Sequence, residues 1–202
     1  MSDRTIIHVV DDDAAMRDSL AFLLDVNGFE PLVYHSAGAF LAECPMDALS
    51  CVVSDIRMPG MNGIELVRKL KSKGSACPVI LVTGHGDVSL AVEAMKAGAV
   101  DFIEKPFDDA VLLGAIDTAL KARPAIHGDS AEKNEAEARL VELSPRERDV
   151  LQGLVAGKIN KVIAHDLNIS PRTVEVYRAN LMAKTGARSM SELMRIALTA
   201  GL

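Results

Sequence analysis

The chain is expected to fold as a five-stranded parallel (βα)5 domain of the α/β class followed by an all-α tail of four short helices. Three observations lead there. Short apolar runs alternate strictly with helical periodicities through the first 120 or so of the 202 residues. The segment that follows breaks that periodicity, and the remainder carries helical patterns only. Strict alternation of this kind implies right-handed crossovers and a doubly wound parallel sheet.

The first strand is Ile6-Ile-His-Val-Val10, which runs into Asp11-Asp12-Asp13. Met16, Leu20, Leu23 and Leu24 recur at helical spacing from Ala14 to Val26, and Asn27-Gly28 closes that helix. Leu32-Val-Tyr34 reads as a second strand and Ala37 to Glu43 as a second helix. Cys51 to Ser54 is the third strand, ending on Asp55 and a Met-Pro-Gly turn. Ile64 to Lys71 places Leu66 and Leu70 inward. Pro78-Val-Ile-Leu-Val-Thr83 is the fourth strand, and Gly84-His-Gly86 frees the backbone for a mobile loop. Val88 to Lys96 forms the fourth helix, Asp101 to Glu104 the fifth strand and Asp108 to Lys121 the fifth helix. Five such strands suggest the flavodoxin-like order, with the site at its switch point.

Arg123-Pro-Ala-Ile-His-Gly-Asp-Ser130 is rich in turn formers and marks a domain boundary. Residues 1–123 are read as the first domain, 124–142 as a linker and 143–202 as the second domain. The linker from Ala131 is charged and Ala-rich, with helical propensity but a thin apolar face. Ser144-Pro145-Arg-Glu147 is a capping box with Pro at the first helical position, opening a helix to Ala156. Asn160 to Leu167 follows, then the tight turn Asn168-Ile-Ser170 and a helix from Pro171 to about Lys184. Ser191 to Ala200 closes the chain. Two short helices joined by a three-residue turn have helix-turn-helix geometry.

Composition narrows the class. No apolar run is long enough to cross a bilayer, and the first residues lack the apolar core of a signal peptide, so a cytoplasmic protein without membrane contact is expected. Cys44, Cys51 and Cys77 have no metal-ligand spacing and read as buried, inert thiols. Residues 1–123 carry 11 Lys/Arg against 18 Asp/Glu, a balance of −7, whereas residues 144–202 carry 9 against 5, or +4. An acidic front with a basic tail is the asymmetry of a regulatory domain joined to a nucleic-acid binder.

The chemistry lies at the strand ends. Asp11, Asp12 and Asp55 converge if strands one and three are neighbours, and Mg²⁺ is the hard cation that relieves their repulsion. A carboxylate beside such a metal can attack a phosphoryl group. Lys105 offers that phosphoryl group a point charge and Thr83 a hydroxyl.

Val10-Asp11-Asp12, Asp55-Ile-Arg-Met-Pro-Gly60, Val82-Thr83-Gly84 and Glu104-Lys105-Pro106-Phe107 resemble the receiver domain of two-component response regulators. The resemblance covers residue 5 to about 122. It implies Asp55 as phosphoacceptor, Asp11, Asp12 and the Arg57 backbone carbonyl as Mg²⁺ ligands beside it, and Thr83 and Lys105 as its catalytic partners. It also implies Thr83, Phe102 and Pro106 as switch positions, with a cis Lys105–Pro106 peptide. Phe102 stands where the family often has Tyr, so no hydroxyl takes part in this switch.

The tail resembles the LuxR-type helix-turn-helix through Leu143-Ser-Pro-Arg-Glu147, Asn160-Lys-Val-Ile-Ala164 and Ser170-Pro-Arg-Thr-Val-Glu-Val-Tyr177. Thr83-Gly-His-Gly-Asp87 and Ala91-Val-Glu-Ala-Met-Lys-Ala-Gly98 are similar to FixJ-type regulators, activators under sensor histidine kinases that often respond to oxygen.

On the helix after the turn, Val174, Tyr177 and Leu181 recur at core spacing, leaving Arg172, Glu175, Val176, Ala179 and Met182 outward. Lys161, Arg172, Thr173, Arg178 and Lys184 are candidate phosphate contacts. Glu175 can accept from a cytosine amino group and Val176 can touch a thymine methyl.

The expected function is a regulator phosphorylated by a sensor histidine kinase, which then dimerises and binds promoter DNA. RNA polymerase is a further implied partner. Val92, Lys96, Ala97, Asp101, Val111 and Leu112 form the expected dimer face. A metal-dependent phosphatase or phosphotransferase would need a substrate pocket for which no insertion provides, so no enzyme is expected. A phosphate sink acting through protein partners would leave the helix-turn-helix unused.

Overall fold

The computed structural model describes residues 4–44, 50–84, 88–121 and 129–202. The proposed domain boundary between 122 and 128, and residues 85–87 of the loop after the fourth strand, lie outside them. Five parallel strands, β1 (Ile6–Val10), β2 (Glu30–Tyr34), β3 (Cys51–Asp55), β4 (Val79–Thr83) and β5 (Asp101–Glu104), pair in the order β2-β1-β3-β4-β5. They alternate with α1 (Ala14–Val26), α2 (Ala37–Glu43), α3 (Gly63–Ser72), α4 (Val88–Ala97) and α5 (Asp109–Lys121). The tail contains α6 (Asp129–Val141), α7 (Pro145–Val155), α8 (Asn160–Leu167), α9 (Pro171–Thr185) and α10 (Met190–Thr199).

The order has the reversal between β1 and β3 that the alternation implies, so the carboxyl ends of those two strands lie side by side. Both faces of the central strands are buried, as covered parallel sheets require. Ile7, Val9, Val53, Ile80 and Val82 share a cluster with Leu20 and Leu24 of α1 and Leu112 and Ile116 of α5. On the opposite face of β1, His8 packs between Tyr34 and Phe40, with ring centroids 5.9 and 5.5 Å away. Burial pulls its pKa down and so favours the neutral imidazole. Cys44, Cys51 and Cys77 are buried and unbridged, and burial pushes the Cys51 thiol up to about 12.

One expectation fails here. Leu112 is fully buried, because Leu112, Ala115, Ile116 and Ala119 form the inward stripe of α5. It therefore belongs to the core rather than to a surface face, whereas its neighbour Val111 is 51% exposed. Helical phase makes the difference: adjacent positions point about 100° apart.

By packing, the described residues divide into two units, one holding the sheet with α1, α2, α3 and α5, the other holding residues 88–96 and 129–202. The apolar cluster of the second unit includes Val92 and Met95 of α4. Val92 is thus buried as well. The segment read as a linker is a formed helix and part of this second fold. Ala136 and Leu140, one turn apart on α6, and Leu143 beyond its end enter the same cluster as Leu151, Leu193 and Met194. The thin apolar face suffices because Arg148 supplies polar fastening. Its Nη2 donates to the carbonyls of Leu140 at 2.7 Å and Val141 at 3.4 Å, and its Nε to Leu143 at 3.3 Å. Leu140 and Val141 are in the last turn of α6, whose carbonyls have no partner within the helix.

The capping box at Ser144 and Glu147 is formed. The turn between α8 and α9 rests on Asn168, which adopts the left-handed region at φ 53° that Asn tolerates better than most residues. Ser170 then caps α9, accepting from the Thr173 amide at 3.0 Å.

Candidate phosphoacceptor site and nucleic-acid interface

Asp55 is the last residue of β3, its backbone fixed in register opposite Val82 of β4. Its Oδ2 accepts from the Arg57 amide at 2.6 Å, which aims the carboxylate along the turn. Gly63 opens α3 against the same residue: its amide donates to the Ile56 carbonyl at 3.0 Å. A Cβ there would run into the backbone carbonyl of Asp55. Asp11 lies just beyond β1, its Oδ1 accepting from the Asp13 amide at 2.9 Å. Asp13 is the N-cap of α1 and accepts from the Ala15 amide at 2.9 Å. Arg17, which the sequence did not single out, donates to the Asp11 carbonyl at 2.7 Å and pins this loop to α1.

Lys105 joins the two acids. Its Nζ lies 2.8 Å from Asp55 Oδ1 and 3.0 Å from Asp11 Oδ2. Two carboxylates sharing one ammonium leave an excess negative charge in a largely enclosed place. Unit charges about 4 Å apart repel by about 4 kcal/mol at an effective dielectric near 20. Burial raises the pKa of Asp55, the bond from Lys105 opposes that rise and the charge of Asp11 adds to it. Burial works to lower the pKa of Lys105, but its bonds to Asp55 and Asp11 prevail and raise it.

Thr83 is fully buried at the end of β4, and its carbonyl accepts from the Lys105 amide at 2.7 Å, so β4 and β5 position these two residues together. The Lys105–Pro106 peptide is cis. Phe102 is half-buried on β5, and Pro106 is exposed. Asp12 is exposed, and among the described residues no three His, Cys, Asp or Glu side chains converge as a ligand set. The acids gathered are thus two, Asp11 and Asp55. That pair still fits Mg²⁺, which is held by one or two carboxylates while keeping waters and accepting phosphate oxygens. Beside Lys105 a groove of about 720 Å³ runs between α1 and the start of α5, lined in part by Met16, Leu20, Leu23 and Phe107. Phe22, 72% exposed, and Val26, 66% exposed, also line it. Both stand outside the periodic stripe of α1, which is the sequence signal that could have revealed them.

In the tail, Val174 and Leu181 are fully buried and Tyr177 partly so. Arg172, Glu175, Val176 and Ala179 of α9 and Lys161 of α8 are exposed, and Thr173 is half-exposed. Met182 packs against the core cluster. Two of the candidate phosphate contacts are engaged internally. Arg178 Nη1 donates to Asn160 Oδ1 at 3.1 Å, and Lys184 Nζ to Glu147 Oε2 at 2.7 Å. Of the expected dimer face, Lys96 and Val111 are exposed, while Ala97 and Asp101 are half-buried.

A buried aspartate at the switch point of a parallel sheet, paired to a lysine from the last strand, defines a response-regulator receiver domain. The family model for that domain matches residues 7–117, and the model for bacterial regulatory proteins of the luxR family matches residues 141–197. The chain is 54% identical over 203 residues to the transcriptional regulatory protein FixJ of Bradyrhizobium diazoefficiens, covering all of this chain and 98% of that protein. Identity to FixJ of Rhizobium meliloti is 53%, with coverage of 100% and 98%. The crystal structure of full-length FixJ from B. japonicum superposes with a TM-score of 0.56 at 52% identity, covering 98% of this chain and 97% of that one. The chain belongs to the FixJ-type two-component response regulators, with a receiver domain and a LuxR-type DNA-binding domain. Among the described residues no helix is long and apolar enough to cross a membrane.

Proposed function

We propose that Asp55 accepts a phosphoryl group from a sensor histidine kinase, and that the phosphorylated chain dimerises and binds promoter DNA in the cytoplasm to activate transcription with RNA polymerase. The convergence of Lys105 on Asp55 and Asp11 carries this reading. One Asp55 oxygen attacks phosphorus as the bond to the donor breaks, forming an acyl phosphate. Lys105 then leaves the carboxylate pair to follow the phosphoryl oxygens. Asp11, Asp55, the Arg57 carbonyl and, from the exposed edge of the site, Asp12 would hold Mg²⁺, which would supply positive charge to the transferring group.

The donor covers the groove beside Lys105, since that groove lies next to the lysine paired with Asp55 and is lined by exposed apolar side chains of α1. Exposed Phe22 and Val26 suit that contact. The dianion on Asp55 draws the Thr83 hydroxyl and Lys105 inward, and Phe102 with Pro106 follows the loop, a local charge event biasing a two-state element. The face that pairs two receivers then consists of Lys96, Ala97, Asp101 and Val111. Before phosphorylation the acidic residues 1–123 and the basic residues 144–202 attract each other and mask the DNA-binding surface. Arg172, Thr173 and Lys161 contact phosphates, while Glu175, Val176 and Ala179 face the bases. No separate substrate is turned over.

Footprinting on promoter DNA with and without acetyl phosphate tests the whole reading. Protection of paired half-sites should appear with the phosphodonor. If the unphosphorylated chain footprints identically, the switch is wrong. If the fragment 124–202 binds more tightly than the unphosphorylated full chain, masking contributes.

A further inference from the structure

Lys184 sits in the last turn of α9 and has the charge and exposure of a phosphate contact, yet its partners lie inside the tail. Its Nζ is 2.7 Å from Glu147 Oε2 and 3.4 Å from the Glu142 carbonyl. The Glu147 side chain is only 4% exposed. The same Oε2 accepts from the Ser144 amide and hydroxyl, each at 2.8 Å. The bond from Lys184, followed by that from the Ser144 amide, pulls the pKa of Glu147 down to about 2, so the carboxylate is ionised throughout the physiological range. The carboxylate is enclosed while the Lys184 side chain is 39% exposed, and Lys184 cannot reach for a phosphate without giving up its bond to that carboxylate.

The contact ties three elements. Glu147 is in the first turn of α7, Glu142 follows the end of α6, and Lys184 ends α9. The other side of α9 is fixed to α8 through Arg178 and Asn160. The recognition helix is thus held at two points along its length, both made by cations that the sequence alone would assign to DNA.

We infer that Lys184 is a positioning residue for DNA binding: through Glu147 and the Glu142 carbonyl it sets the angle of the recognition helix and couples it to the helix preceding the domain. The inference rests on the DNA-binding reading above. It makes a signature that charge alone would reverse. A lysine on a phosphate contributes to the salt dependence of binding, whereas a lysine on Glu147 does not. Loss of the Glu147 charge brings the tail closer to DNA in electrostatic terms, yet it loosens the helix that must fit the groove.

The test uses the full-length chain, phosphorylated with acetyl phosphate and Mg²⁺, on a duplex that the wild-type chain selects from a random-sequence pool. Lys184→Gln should weaken binding about tenfold, as expected for losing a charge-assisted hydrogen bond. Its log–log salt slope should stay at the wild-type value. Lys161→Gln, the comparison, should lower that slope by about 0.9, the contribution of one phosphate contact on duplex DNA. Glu147→Gln should weaken binding although it removes a negative charge, whereas Lys184→Arg should keep the wild-type affinity that Lys184→Gln loses, by donating to the same two oxygens. Melting curves by circular dichroism place every titration below the unfolding transition. If Glu147→Gln does not fold, Glu147→Asp replaces it, keeping the charge and withdrawing the carboxylate; weaker binding is again expected. A slope that falls by about one with Lys184→Gln overturns the inference while leaving DNA binding intact. Tighter or unchanged binding by the Glu147 variants does the same. If the wild-type chain selects no duplex, the DNA-binding reading falls and this inference with it.

Discussion

Lys105 and Asp55, 50 positions apart in sequence, meet at 2.8 Å, one just past the end of β5 and the other at the end of β3. Acetyl phosphate with Mg²⁺ should label Asp55 stoichiometrically, and Asp55→Asn should abolish the label. Lys105→Ala should slow labelling about tenfold or more, the loss expected for one hydrogen bond to a charged group. Asp12→Ala should mainly weaken Mg²⁺ binding, read by calorimetry. Asp55→Asn should also raise the melting temperature without Mg²⁺, because burial and Asp11 both disfavour the ionised carboxyl. Persistent labelling of Asp55→Asn at another residue would sink the assignment.

Phe22 is 72% exposed beside the groove that Lys105 lines. Phe22→Ser should leave stability within about 0.5 kcal/mol, as for most surface substitutions. Phosphotransfer from the sensor kinase should slow, while labelling by acetyl phosphate stays at the wild-type rate. Equal slowing with both donors would place the defect in the chemistry rather than in docking.

Leu140 is 4% exposed where α6 meets the rest of the second unit. Leu140→Ala should cost about 3 kcal/mol, within the range for buried leucines. A fragment starting at residue 129 should accordingly melt higher than one starting at residue 143. Equal melting temperatures would mean that α6 contributes nothing to the fold of the tail.

Val111 and Leu112 are adjacent, yet 51% and 0% exposed. Val111→Lys should abolish dimerisation of the phosphorylated chain in ultracentrifugation with little change in melting temperature. Leu112→Ala should lower the melting temperature first, through a cavity worth about 2–5 kcal/mol. A Val111→Lys chain that still dimerises would remove this face from the interface.

Glu147 has a folded pKa of about 2 against an ordinary value of 4.5. A carboxyl depressed in the folded state contributes stability that is fully present above the unfolded value and is lost as the pH falls through the folded one. Thermal melts from pH 6 to pH 2 should therefore show the wild-type advantage over Glu147→Gln holding down to about pH 4.5 and vanishing toward pH 2. A difference independent of pH would assign the effect to packing.

Much of this molecule was legible in the sequence, for identifiable reasons. Strand and helix periods were clean, so β1, β3 and β4 and the stripe Val174, Tyr177 and Leu181 came directly from spacing. The meeting of Asp11 and Asp55 follows from strand order, which also placed Asp12 beside them, yet Asp12 is exposed; Lys105 was expected on the phosphoryl group and lies on the two acids instead. What escaped depended on side-chain reach between elements distant in sequence. Arg148 capping α6 and Lys184 joining Glu147 are such contacts, and no periodicity encodes them. Leu112 was misplaced by one helical step, since Val111 and Leu112 are equally apolar. The α6 segment looked too polar to pack because two apolar residues per face count as few until a guanidinium closes the helix end.

Gly63 carries no chemistry, yet any side chain there would collide with the backbone carbonyl of the residue proposed to be phosphorylated. Position 63 is therefore expected to tolerate substitution as poorly as Asp55 itself. A saturation screen scored on promoter output would group the two together and credit the glycine with a reactive role it does not have. Their separation would appear in a different assay: Asp55→Asn keeps a folded receiver, whereas Gly63→Val forces β3 and α3 apart and yields little soluble protein. Loss of function at a site is thus not a map of its reactive atoms.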